Sequence, residues 1–205
     1  MKKFELTNEF VTNMFGTKLF RIRALVEFGD VEAGELGGYV EKESNLGHDD
    51  NAWVYDNAWV YGNARVYGDA LVYDNARVYD NAWVYGDAQV SGDALVYGNA
   101  WVYGNAQVSG DARVCGDARV CGNGDYAYAH GFGSVNRTTT FFRLKDGGVG
   151  VRCGCFYGTL AQFRDKIRET HGETKKAQEY LMLADLMELR FEEDENEVGN
   201  RKYVE

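Results

Sequence analysis

The chain contains no proline, and its 205 residues include only three histidines and four cysteines. Aromatic residues make up 14% of it, which places it outside the disordered class despite its polar turns. No run of 18 continuous apolar residues occurs, so no membrane-spanning helix is expected. The opening MKKFELTNEF lacks an apolar core of the kind a secretory signal needs, which argues for a cytoplasmic protein. Positive charge is scarce as well. The net charge of -10 disfavours non-specific binding to nucleic acid or to an anionic membrane. A chain this long holds one elongated domain with distinct ends, or two small units.

What is present is a repeat. Residues 50–121 divide into twelve consecutive hexapeptides, from DNAWVY to GDARVC, with no insertion. Each has Gly or Asp, then Asn or Asp, Ala, a variable residue, Val and usually Tyr. Ala and Val two apart fit a short strand with both side chains on one face. The Gly/Asp and Asn/Asp pair supplies turn chemistry, because Gly and Asn accept left-handed backbone angles and Asp or Asn side chains bond nearby backbone. One period is therefore one strand and one corner. Three corners close a triangular coil, and four stacked coils make a prism about 19 Å tall with a Val and Ala interior. No hexapeptide could bury its own Val, so each coil depends on its neighbours. A helix is excluded, since a six-residue period with Gly and Asn in every repeat does not hold one helical face.

The pattern A-x-V-x-G-N resembles the hexapeptide repeat of left-handed parallel β-helix proteins, a family best known for acyltransferases. Leu36-Gly-Gly-Tyr-Val40 followed by Tyr-rich hexapeptides is similar to uncharacterised bacterial and bacteriophage proteins, some labelled transferases. The resemblance implies the fold, an all-β solenoid with a left hand, and often a trimer. It says less about activity, because one scaffold serves enzymes and non-enzymes.

The chain is accordingly read as an N-terminal β cap (1–35), a β-helix (36–135, regular over 50–121), a small C-terminal α+β cap (136–191) and an acidic flexible tail (192–205). Residues 3–9 and 16–27 read as a hairpin or two strands protecting the first coil's open edge. Val40 and Leu46, six apart, suggest a degenerate coil, and the step of eight from Leu46 to Val54 breaks the phase. Tyr126 and Phe132 continue the six-residue spacing from Val120 with larger inward side chains. Beyond Arg137, TTTFFRL and VGVRCGCFY flank a hairpin turn at Asp146-Gly-Gly148. Thr159 is placed to cap a helix ended by Gly172, and a second helix is expected from about Thr174 to Leu189.

For acyl transfer the resemblance implies a His reaching a cleft between subunits, often beside a loop leaving the coil. His48, His130 and His171 all lie outside the hexapeptides, and no loop interrupts the coils. His130 falls in the slot of a small inward Ala, and His171 beside Gly172 fits a helix C-terminus, where a cation is favourable. No catalytic residue, cofactor or metal ligand is assigned. Corner Asp and Asn are explained by turn chemistry, whereas calcium-binding solenoids use a glycine-rich nonapeptide. Cys115 and Cys121 occupy Tyr slots and are expected to point outward from different sides, while Cys153 and Cys155, in a strand, would point the same way. All four read as reduced thiols.

The outside of the prism is the informative surface. Counting by threes stacks Tyr61, Tyr79 and Tyr97 on a first side and Tyr67, Tyr85 and Tyr103 on a second. Tyr55, Tyr73, Ser91 and Ser109 fall on the third. The second side also carries Trp83 above Trp101, flanked by Arg65 and Arg119; the first carries Trp59, Arg77, Leu95 and Arg113. Such ladders stabilise a sheet through same-face stacking. Tyr, Trp and Arg also dominate buried interface hot spots. The candidate interface is therefore Tyr67, Trp83, Tyr85, Trp101 and Tyr103, facing another copy or an unidentified protein partner. Nine Asp against four Arg, and no Lys, in the hexapeptides oppose a nucleic-acid backbone. Aromatic ladders could also hold glycans. The preferred reading is a non-enzymatic structural or protein-interaction module. The alternatives are an acyl-CoA-dependent acyltransferase-like enzyme and an acidic, phage-encoded inhibitor of a host nucleic-acid-binding protein.

Overall fold

The computed structural model describes residues 1–133 and 136–192. Its centre is a parallel β-solenoid. Every hexapeptide contributes one two-residue strand, made of the variable residue and Val, and strands three hexapeptides apart pair in parallel register. The chain enters through β1 (Phe4–Thr12) and β2 (Lys18–Ala24), an antiparallel pair, and then β3 (Leu36–Val40). β3 is antiparallel to β2 but parallel to the first strand of the solenoid below it, with Val40 opposite Val60.

The first side runs from β3 through β5 (Trp59–Val60), β8 (Arg77–Val78), β11 (Leu95–Val96) and β14 (Arg113–Val114). The second side holds β6 (Arg65–Val66), β9 (Trp83–Val84), β12 (Trp101–Val102) and β15 (Arg119–Val120). The third holds β4 (Trp53–Val54), β7 (Leu71–Val72), β10 (Gln89–Val90) and β13 (Gln107–Val108). Every hexapeptide Ala and Val is fully buried, each at 0% exposure. Burying one Val side chain contributes about 1.5–3 kcal/mol, so the column is the main source of the solenoid's cohesion.

The corners refine the turn chemistry read from the sequence. In each hexapeptide the left-handed residue is the first of the corner pair, either Gly (Gly62, Gly68, Gly86 and onward) or Asp (Asp50, Asp56, Asp74, Asp80). The Asn that follows does not take that conformation. It bridges coils instead, with Asn63 donating to Asn81 and Asn81 to Asn99, each at 3.2 Å.

Val40 and Leu46 do form a partial coil above the first complete one. β3 covers the first side, and Leu46 bridges Val66 on the second. Close approach is what the Gly pair of LGGYV permits: a Cβ on Gly37 would lie 2.5 Å from the Val54 carbonyl, and one on Gly38 2.7 Å from that of Ala58. Trp53, in an outward slot, is fully buried because Phe4 and Phe28 pack edge-on against it from the N-terminal unit.

At the other end the expectation of a further coil is corrected. Tyr126 and Phe132 lie on β16 (Tyr126–Phe132), the first strand of an antiparallel sheet with β17 (Arg137–Arg143), β18 (Val149–Cys153) and β19 (Phe156–Thr159). The chain leaves the coil at Gly122 because the Asp125 carboxylate accepts from the Cys121 and Gly122 N–H groups, turning the backbone away from the next stack. Adjacent residues of β17 serve opposite faces: Phe142 closes the solenoid interior, and Phe141 packs under the helices. Helix α1 (Leu160–His171) starts at Thr159, whose hydroxyl accepts from the Gln162 N–H, and stops at Gly172. Helix α2 (Lys175–Phe191) starts after Thr174 and buries Ala177, Tyr180, Ala184, Met187 and Phe191. The expected acidic tail lies, from residue 193 onward, outside the described residues.

Candidate functional site

The second side presents the aromatic columns that the sequence points to. Val alternates inward, so the variable residue before it and the Tyr after it both project outward, and parallel register repeats each in the same place one coil on. Tyr67, Tyr85 and Tyr103 stack at 5.0 and 5.1 Å between ring centroids, within 7° of parallel. Trp83 and Trp101 stack beside them at 5.2 Å. The two columns meet edge to face, with Tyr67 against Trp83 at 5.9 Å and Tyr85 against Trp101 at 6.2 Å.

Both ends of the Trp column are closed by cations. Arg65 lies over Trp83 at 5.7 Å and Arg119 over Trp101 at 4.1 Å. Arg119 is held there because its guanidinium also donates to the Asn99 and Ala118 carbonyls. An indole flanked by a cation is stabilised through its π-face. Self-stacking leaves these rings half-buried rather than fully exposed. Burial also raises the Tyr67 and Tyr85 phenols above their ordinary pKa.

The first side carries a comparable Tyr61, Tyr79 and Tyr97 column, but its last coil is covered by the C-terminal cap. This overturns one expectation. Cys115 sits in an outward slot yet is only 3% exposed, packed beside Tyr97 and near Tyr157 and Arg152 of the cap, and burial pushes its thiol up. Cys121 and Cys155 are exposed, and no disulfide joins the four cysteines. Cys155 lies in the turn between β18 and β19, after Gly154 in the left-handed region, so Cys153 and Cys155 do not share a strand face.

The histidines are widely separated by the fold. His48 stacks on Phe4 at 4.5 Å, and its Nδ1 accepts from the Lys3 backbone N–H at 3.2 Å. That bond places the proton of the neutral ring on Nε2, which lies 4.0 Å from Glu43. His130 is exposed on β16, against the expectation of an inward slot, 2.8 Å from the Thr138 hydroxyl and 3.4 Å from the Asp111 carboxylate. A cavity of about 410 Å³ adjoins it, with Arg113 and Arg137 on its wall. His171 ends α1 and stacks on Tyr180 at 6.0 Å. Among the described residues, no three His, Cys, Asp or Glu side chains are grouped to hold a metal ion, and no helix is long and apolar enough to cross a membrane.

Sequence reasoning missed the polar groups that end the stack. The N–H groups of the variable residue, the Tyr slot and most corner Asn donate to carbonyls of the following coil, as Trp83 does to Ala100 and Tyr85 to Val102. The first complete coil therefore has carbonyls with no coil before them, and such groups need donors when buried. On the first side β3 supplies backbone N–H groups, from Tyr39 to Ala58 and from Glu41 to Val60. On the second, the Asn45 amide donates to Gly62 at 3.2 Å and to Ala64 at 2.8 Å. On the third, the Lys3 ammonium donates to Asp50 at 3.2 Å and to Ala52 at 2.8 Å. The last coil needs acceptors instead. Asn123 takes the Gln107 N–H, Thr140 that of Arg113, and Asp125 those of Cys121 and Gly122.

The profile of a family described as the YdcK beta solenoid repeat matches residues 58–73, 70–86, 88–104 and 106–122. All four stretches fall on the regular coils, the last running one residue past them to Gly122. The fold is thus a β-solenoid related to YdcK-type repeats, and nothing in the match extends to the transferase activity that the hexapeptide resemblance implied. No curated protein matches the chain.

Proposed function

We propose that the chain is a non-catalytic scaffold whose second solenoid side, through Tyr67, Trp83, Tyr85, Trp101 and Tyr103, packs against other copies of itself. The observation that carries this reading is the Arg65–Trp83–Trp101–Arg119 column standing edge to face beside the stacked tyrosines. Rigid, prestacked aromatics lose little side-chain entropy on contact, and Trp, Tyr and Arg are the residues that carry most interface energy. The caps, assigned to 1–35 and 136–191, then serve to end the stack and prevent uncontrolled growth from its edges. A trimer is the form the hexapeptide resemblance favours.

Sedimentation equilibrium on the full chain tests this. Oligomer is expected, with dissociation to monomer when Trp83 and Trp101 are both replaced by Glu and the circular dichroism spectrum is unchanged. A wild-type chain that stays monomeric at high concentration overturns it.

A second reading, an acyltransferase-like enzyme, draws on His130, which lies beside a carboxylate and a cavity near two Arg residues. Calorimetric titration with acetyl-CoA separates the two. Saturable binding lost in His130→Ala favours the enzyme, and no heat of binding favours the scaffold.

A further inference from the structure

The Tyr column of the second side begins at Tyr67, and the residue in register one coil earlier is Gly47. Leu46 bridges Val66 in parallel, and the Gly47 N–H donates to the Val66 carbonyl at 2.8 Å. Gly47 therefore occupies a Tyr slot without a ring. A Cβ built on it would lie 3.1 Å from the Tyr67 Cβ, so a side chain there would start directly above that residue. Below, the column places one ring every 5.0–5.1 Å. The rung above Tyr67 is open, and a cavity of about 530 Å³ occupies that region. Gly47 lies at its back, since the Leu46 and Val66 side chains turn into the solenoid interior; Glu43, His48, Asp49, Arg65 and Trp83 surround it.

We propose that this open rung binds a small planar nitrogen heterocycle of purine size, stacked on Tyr67, with ring N–H groups donating to the Glu43 and Asp49 carboxylates. The volume lies within the range of about 300–1,000 Å³ typical of small-molecule sites. An aromatic floor stacks any flat heterocycle, and Trp83, at 80° to Tyr67, supplies a wall that limits its position. The polar rim selects among flat rings. Glu43 is ion-paired with the Lys2 ammonium at 2.5 Å, and with Asp49 and Arg65 the rim carries no net charge with His48 neutral, so its carboxylate acceptors, not its charge, favour a neutral ring rich in N–H donors. A carboxylate takes two parallel N–H groups from one ring edge, a charge-assisted geometry stronger than a neutral pair. Glu43 is oriented by the Lys2 ammonium, which donates to its Oε1 at 2.5 Å, while the Nε2–H of His48, held by Phe4 and the Lys3 N–H, lies 4.0 Å from its other oxygen. The site shares Tyr67 and Trp83 with the ladder contact proposed above but uses the open face of Tyr67 at the end of the column rather than its stacked length.

The test titrates the full chain with guanosine, whose N1–H and amino group form such an edge, following heat and tryptophan fluorescence. One saturable site per chain is expected. Gly47→Tyr completes the column and should weaken binding at least tenfold, while Trp101→Glu, outside the site, reports on oligomerisation separately. Glu43→Gln, at an exposed position, and 1-methylguanosine, which lacks the N1–H, should each weaken binding about tenfold, the loss of one charged hydrogen bond. Absence of saturation up to the solubility limit overturns the proposal. So does unchanged affinity in Glu43→Gln, which decides the matter even if Gly47→Tyr fails to fold. Phenol binding as tightly as guanosine would also overturn the assigned ligand class.

Discussion

Asn45→Ala is expected to be among the most damaging single changes at a polar position in this protein. The side chain is fully buried, at 0% exposure. Its amide donates to the Gly62 and Ala64 carbonyls, and its oxygen accepts from the Lys42 N–H at 3.0 Å. Truncation strands three backbone groups. The Ala64 carbonyl is buried and bears the full desolvation penalty of about 1–3 kcal/mol. The other two are partly buried and reachable by water, adding about 0.5–1 kcal/mol each. The sum is about 2–5 kcal/mol, which with a urea dependence of about 2–3 kcal/mol/M lowers the unfolding midpoint by about 1–2 M. The control is the same substitution at Asn81, whose amide bonds only exposed neighbours and should cost under about 1 kcal/mol. A third variant separates lost donors from lost volume. Asn45→Asp conserves shape but sets a carboxylate against two carbonyls, so it should cost more than Ala. Urea unfolding followed by tryptophan fluorescence reads all three. Equal midpoints for the Asn45 and Asn81 Ala variants, or a tolerated Asn45→Asp, would refute the account of how the first coil is terminated.

Lys3 ends the third side in the same way, and burial lowers its ammonium from 10.5 to about 8. Between about pH 8 and 10 the unfolded chain holds more protons than the folded one, so stability should rise with pH there, and Lys3→Met should abolish the rise in pH-dependent urea melts. Above pH 10 the sign reverses, because burial raises phenols such as Tyr79 to about 12 and the unfolded chain ionises first. Gly92→Ala places a Cβ 2.9 Å from the Gly110 nitrogen at φ +66, and should cost about 1–3 kcal/mol in thermal unfolding. Gly124→Ala, with open space around it, should change stability by under about 0.5 kcal/mol. Asp125→Ala should remove the bonds that turn the chain out of the last coil, seen as faster amide hydrogen exchange at Cys121 and Gly122.

The solenoid was legible because its information is local. A strand of two residues and a corner recur every six, so the inward Val, the outward aromatics and the pairing of residues 18 apart follow from the period. Which three strands make a side, and hence which Tyr stacks on which, could be counted directly. The two helices were legible for a similar reason, since Thr159 and Gly172 mark one and Thr174 starts the other. The sequence alone thus determined the coil, its interior and its aromatic columns.

Tertiary structure decided the ends. Lys3 meets Ala52, Asn45 meets Ala64, and Thr140 meets Arg113, across separations of 49, 19 and 27 residues that no period contains. Cys115 and Trp53 occupy outward slots, yet each is buried because a cap folds over it. The open rung above Tyr67 exists only because Leu46 takes register with Val66, which turns a phase-breaking Gly47 into a vacant place in a column. A repeat states what each coil demands of its neighbours. At the first and last coils those hydrogen bonds have no neighbour, and side chains distant in sequence must supply them.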